Sequence, residues 1–106
     1  MSLPRRVYLA SPLSGDREHN KAYACDAMRD SLKRGEAPFV PHLHYPIVLD
    51  DDEPLEREAG MRAGTAWLLA ADVVVAYIDR GVSRGMQAEI DTAMAHGVPV
   101  ERRSIL

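Results

Sequence analysis

Residues 71–90 read ADVVVAYIDRGVSRGMQAEI, a strand pattern that gives way to a helix pattern across one short loop. Val73-Val74-Val75-Ala76-Tyr77-Ile78 is a continuous apolar, mostly β-branched run, the pattern of a parallel strand covered on both faces. Asp79 to Gly85 is rich in turn formers. Met86, Ile90, Ala93 and Met94 then recur at helical spacing until Gly97 closes the segment. The carboxyl end of a strand next to a helix amino terminus is where α/β folds hold anionic or sugar ligands. The first carboxylate inside that helix is Glu89. At about 100° per residue, Met86, Ile90, Ala93, Met94 and Gly97 share one sector, and Glu89 falls about 80° from its centre. From the border of the buried face it can lean into a cleft above the strand ends, where the helix dipole favours the ionised form. A glutamate that only complements the dipole is the plainer reading.

Upstream, Arg6-Val7-Tyr8-Leu9-Ala10 reads as a first strand that stops at Ser11-Pro12-Leu13-Ser14-Gly15-Asp16. The serines and main-chain N–H groups of this second loop can cradle a phosphate or hydroxyls. It contains neither GxGxxG nor a Walker pattern, which disfavours dinucleotide and triphosphate sites of those kinds. Asn20 reads as the N-cap of a helix carrying Ala22, Cys25, Met28 and Leu32, ended by Gly35. Ala37 to Pro41 is a short strand whose prolines suit a sheet edge. His42 and His44 would face one side of extended chain. Without a third ligand nearby, they read as cleft-lining proton donors or hydrogen-bonding groups, and no metal site is expected.

Asp50 to Glu53 is an acidic run that reads as a solvated helix cap. From Leu55 to Ala70, apolar residues at Leu55, Ala59, Ala63, Ala66, Trp67 and Ala70 keep helical spacing; Trp67 is expected to anchor the core, and Gly60 and Gly64 to allow close packing. Val98-Pro99-Val100 is the expected last strand, with Glu101-Arg102-Arg103 as a polar tail. Helices between every pair of strands call for a parallel sheet with right-handed crossovers. The expected fold is therefore α/β, a small Rossmann or flavodoxin-like three-layer sandwich with a parallel sheet of about four strands in the order 2-1-3-4. The two loops then meet at the topological switch between the first and third strands.

Residues 1–106 are expected to form one domain, with 46% apolar and 27% charged residues, as in globular proteins. A net charge of −3 lacks the surplus of a nucleic-acid binder, so small molecules and other copies of the chain are the expected partners. The one cysteine, Cys25, forms no internal disulfide and reads as a small core residue. No apolar run reaches membrane-spanning length and no signal-peptide pattern opens the chain, so the cytoplasm is the expected compartment.

With these residues assembled, the chain resembles the nucleoside 2-deoxyribosyltransferase superfamily, which includes the 2′-deoxynucleoside 5′-monophosphate N-glycosidases. The resemblance rests on Val7 to Gly15, on Ala71 to Ala76, and on Ser83-x-Gly85-x-x-x-Glu89. Over nearly the full chain it is closer to a group of uncharacterised bacterial and phage domains of that superfamily. Their pattern is echoed in Pro41-His42-Leu43, Tyr45-Pro46, Leu49-Asp50-Asp51, Glu56 to Gly60 and Ser83 to Met86.

The resemblance implies an N-glycosidase or deoxyribosyltransferase acting on a nucleoside or nucleotide without a cofactor, with Glu89 as the nucleophile that forms a glycosyl-enzyme. It implies that Ser83 and Ser11 hold phosphate or sugar oxygens, that Tyr8 lies at the cleft floor, and that the chain forms a homodimer or larger homo-oligomer. The wider substrate-binding set is Tyr8, Ser11, Pro12, Leu13, Ser14, Gly15, His42, His44, Ser83, Gly85 and Met86. The active enzymes resembled carry an aspartate three residues before the tryptophan-like position of the second long helix, where this chain has Gly64. Asp79, His42 and His44 are the candidates to substitute for it. The alternative is a domain of the same fold that binds a nucleotide or ribosylated ligand without cleaving it.

Overall fold

The computed structural model describes residues 2–106. Strand β1 (Arg6–Ala10) is followed by helix α1 (Arg17–Lys33), β2 (Ala37–Phe39), the single-turn helix α2 (Pro41–His44), a 3-10 turn (Tyr45–Ile47), α3 (Pro54–Ala70), β3 (Val73–Tyr77), α4 (Arg84–Ala95) and β4 (Val100–Arg103). The sheet is wholly parallel in the order β2-β1-β3-β4, as the pattern of the sequence requires. Val7 pairs with Val73 and Ala10 with Ala76, so the loops after β1 and β3 leave the sheet side by side.

Period-two alternation divides the core. Val7, Leu9, Val73, Val75 and Tyr77 face α1 and pack on Ala24 and Ala27. Tyr8, Ala10, Val74 and Ala76 face the other side, against Leu68 of α3 and Met86, Ile90 and Ala93 of α4. All five residues of β3 are buried, which is why its sequence is apolar at every position. Each such valine contributes about 1.5–3 kcal/mol of burial.

Several details depart from the sequence reading. Asp16, and not Asn20, caps α1, its carboxylate accepting from the His19 N–H at 3.2 Å, while Asn20 is buried inside the first turns. The segment carrying His42 and His44 is helical and not extended, because Pro41 starts a turn at its first position; two residues apart on a helix, the two rings diverge. Trp67 is 54% exposed and Leu55 74%, whereas Leu68 is buried. The inner stripe of α3 is Gly60, Gly64 and Leu68: a Cβ at Gly60 would meet Leu49 Cδ1 at 3.3 Å, so the missing side chains let the segment after β2 lie against the helix. Met94 is also exposed, on the outer side of α4.

The fourth strand runs through the expected polar tail. Pro99 still accepts from the Val74 N–H at 2.8 Å, and the strand proper begins at Val100. Its charges are matched on the α1 face: Arg103 donates to both oxygens of buried Glu36 at 2.8 and 3.0 Å, and Arg5 bridges Glu36 and Glu101. No helix among the described residues is long and apolar enough to cross a membrane.

Candidate active site

Glu89 is carried by α4, whose N-cap Ser83 accepts from the Met86 N–H at 3.2 Å. Met86 and Ile90 pin that helix to the sheet, which turns Glu89 toward β1. There Tyr8 Oη donates to Glu89 Oε2 across a separation of 81 residues. Burial pushes the Glu89 carboxyl up to about 7, against the opposing pull of the Tyr8 hydrogen bond. This corrects the expectation of a carboxylate held ionised by the helix end. Glu89 lies in the second turn, beyond the range in which the dipole acts strongly, and burial dominates. Tyr8 is pushed upward first by burial and then by Glu89, so it remains a protonated donor.

Gly64 borders this pair, since a Cβ there would sit 3.4 Å from Tyr8 Oη and 3.9 Å from Pro41 Cβ. On the other side of Tyr8 stands an aromatic cluster that the sequence reading did not assemble. Phe39 lies 6.2 Å from the Tyr8 ring, stacks on half-exposed Trp67 at 5.3 Å, and meets His44 and Tyr45 edge-on at 5.6 and 6.1 Å. The available signal was only the density of rings in Phe39 to Tyr45, because Trp67 arrives from a different element.

The other expected residues are spread over separate places. Pro12, Leu13 and His42 line a cleft of about 270 Å³ closed by Asn20 and Lys21 of α1. Burial lowers the His42 pKa, while a main-chain hydrogen bond at Ser11 and the charge of Asp51 act the other way. Ser11 itself is fully buried, and its Oγ has no hydrogen-bond partner among the described residues. Ser14 and Gly15 are exposed, and Gly15 turns the loop toward α1 at φ +94. Ser83 and Gly85 begin α4, with Met86 buried beneath them.

Asp79 lies on the α1 side. It accepts from Tyr23 Oη at 2.6 Å, from the Ile105 N–H at 2.9 Å and from Ser104 Oγ, so its oxygens tie residues 104–105 to α1. A broader groove of about 890 Å³ follows the outer face of α3 past Met61, Thr65 and Leu69. Glu89 lines neither this groove nor the cleft. Among the described residues, no three His, Cys, Asp or Glu side chains gather as metal ligands.

Residues 5–103 match the family model of a domain of unknown function, DUF7768. No curated protein matches the chain. Among solved structures, a 2-deoxyribosyltransferase from the psychrotolerant bacterium Bacillus psychrosaccharolyticus superposes with a TM-score of 0.77 at 20% identity, over 93% of this chain and 72% of that one. A conserved protein from Enterococcus faecalis gives 0.67 at 26% identity, over 93% of this chain and 62% of that one. A 2-deoxyribosyltransferase from Leishmania mexicana gives 0.69 at 18%, over 95% and 65%. The chain therefore has a nucleoside 2-deoxyribosyltransferase-like fold, and it spans about two thirds of the length of these structures.

Proposed function

The chain belongs to the DUF7768 family, and we propose that it cleaves the N-glycosidic bond of a nucleoside or nucleotide with Glu89 as nucleophile. The observation that carries this reading is the pairing of Glu89 with Tyr8 in a nucleoside 2-deoxyribosyltransferase-like fold. A carboxyl at about 7 is nearly half ionised at neutral pH, and its partner Tyr8 fixes Oε2 and leaves Oε1 for attack.

In the first step a Glu89 oxygen bonds to the anomeric carbon as the carbon–nitrogen bond breaks, and the base leaves with the electron pair and takes up a proton from solvent water. The second step breaks the glycosyl ester: water gives the free sugar, a second base gives a new nucleoside. Low polarity around Glu89 strengthens its attraction to the oxocarbenium-like transition state. Half-exposed Trp67, backed by Phe39, offers a face on which a base can stack. The loop at Ser11 to Gly15 and the α4 amino end at Ser83 to Gly85 supply main-chain donors for sugar or phosphate oxygens. The outer face of α3, with Met61 and Leu69 exposed, is the surface on which we place a homodimer contact.

One observation favours a second reading, binding without turnover. Gly64 leaves the position beside Tyr8 with no carboxylate to assist the sugar or the leaving base. Incubation with deoxynucleosides and their 5′-monophosphates, each with a second free base present, separates these outcomes by chromatography. Free base alone indicates a hydrolase and a new nucleoside a transferase. Ligand-induced thermal stabilisation without either product indicates a binding domain.

A further inference from the structure

Asn20 joins two loops that come from different strands. It is 5% exposed, and its Nδ2 donates to the Ser14 carbonyl at 2.8 Å and to the Leu13 carbonyl at 3.3 Å. Its Oδ1 accepts from Arg80 Nε at 3.0 Å. One amide therefore uses its donor and its acceptor on opposite partners: the loop after β1 on one side and the loop after β3 on the other. The helix does not require this tie, because α1 is capped by Asp16 and the Asn20 N–H already donates to the Asp16 carbonyl at 2.9 Å. A carboxylate at this position would keep Arg80 but face two carbonyl oxygens with no proton to offer, and an aliphatic side chain would strand all three partners.

We propose that Asn20 is a positioning residue for the active site: it locks the loop carrying Ser14 and Gly15 to the loop that leads through Arg80 into Ser83 and the Glu89 helix. The inference rests on the reading of these two loops as the cradle for the sugar and phosphate. Asn20 lies on the α1 side of the sheet and Glu89 on the other, so Asn20 acts on where the substrate is held and not on the attacking carboxylate.

Amide hydrogen exchange and steady-state kinetics on the full chain test the tie separately from the function. Asn20→Ala is expected to speed exchange at least tenfold both at residues 13–15 and at residues 81–83. Arg80→Ala is expected to loosen residues 13–15 as well, although the Arg80 hydrogen bond goes to Asn20 and not to Leu13 or Ser14. Asn20→Asp, which still accepts from Arg80, is expected to loosen residues 13–15 alone. In turnover of deoxynucleosides and their 5′-monophosphates, Asn20→Ala is expected to raise KM at least tenfold with kcat within twofold of wild type. The Asn20→Ala, Arg80→Ala double variant is expected to be no worse than the worse single variant. Wild-type exchange at residues 13–15 in Arg80→Ala overturns the coupling. A fall in kcat with KM unchanged overturns the positioning role. A wild-type protein that turns over no member of the panel overturns the reading of the site, and with it the substrate-placing role, while the exchange data still decide whether the loops are tied.

Discussion

Replacing Glu89 with glutamine keeps the shape of the side chain and a partner for Tyr8 Oη but removes the titrating proton. Burial raises the folded-state value to about 7, whereas the unfolded chain titrates at the ordinary value of 4.5. The unfolded state therefore sheds this proton first. The stability contributed by protonated Glu89 is complete below about pH 4.5 and is lost as pH rises through about 7. Linkage over that interval amounts to about 3 kcal/mol, of which about 2.5 kcal/mol falls between pH 5 and 8.5. Glu89→Gln does not lose it. Urea denaturation of both proteins at pH 5, 7 and 8.5 isolates the effect, because groups that titrate alike in the two proteins cancel in the difference. The wild type is expected to lose about 2–3 kcal/mol relative to Glu89→Gln from pH 5 to 8.5, mostly by pH 7. A difference that stays constant within about 0.5 kcal/mol over this range would refute a carboxyl raised by burial.

The same carboxyl sets the pH dependence of turnover: kcat/KM is expected to rise tenfold per pH unit below about 7 and to level off above it. Tyr8→Phe removes the hydrogen bond that lowers the Glu89 pKa, so the rising limb moves to higher pH, as a pH profile of that variant would read directly. Gly64→Ala places a methyl in ordinary contact with Tyr8 Oη and replaces glycine within a helix, so the thermal midpoint is expected to rise by the equivalent of about 0.5–1 kcal/mol. Glu36→Gln removes the charge that accepts from Arg103 at both oxygens and leaves Arg103 only Glu101 as an ion partner, so denaturant titration is expected to show a loss of about 2 kcal/mol. Glu36 is lowered to about 2, mainly by its hydrogen bonds from Arg103. Its stabilising effect is present above about pH 4.5 and disappears as pH falls through about 2, so acid unfolding of the wild type should steepen in that window and that of Glu36→Gln should not.

The parts of the fold legible in the sequence were those where side-chain chemistry and burial agree. Val73 to Tyr77 could only be a strand covered on both faces. The order of strands and helices then fixed the topology and brought the loops after β1 and β3 together. Helix α3 was harder to orient because hydrophobicity does not mark its inner stripe. Two of the three inner residues are glycines, while Leu55, Met61, Trp67 and Leu69 are exposed on other sides. In β4, an edge strand beside the nearly covered Glu36–Arg103 ion pair, Glu101 and Arg103 carry a tail-like composition inside a sheet. In the site, the position of Glu89 on α4 could be worked out from helical spacing, but its charge state could not, because burial depends on Tyr8 from β1. The same limit hid Asn20, whose cap-like chemistry is spent on Ser14 and Arg80.

The most direct test of the central claim is a comparison of base release by wild type, Glu89→Gln and Glu89→Ala at pH 8, on whichever deoxynucleoside or 5′-monophosphate the wild type turns over. If Glu89 is the nucleophile, both variants fold, retain substrate affinity and release base at least 1,000-fold more slowly, a loss of about 4 kcal/mol in transition-state stabilisation. Base release by folded Glu89→Gln within tenfold of the wild-type rate would contradict the account.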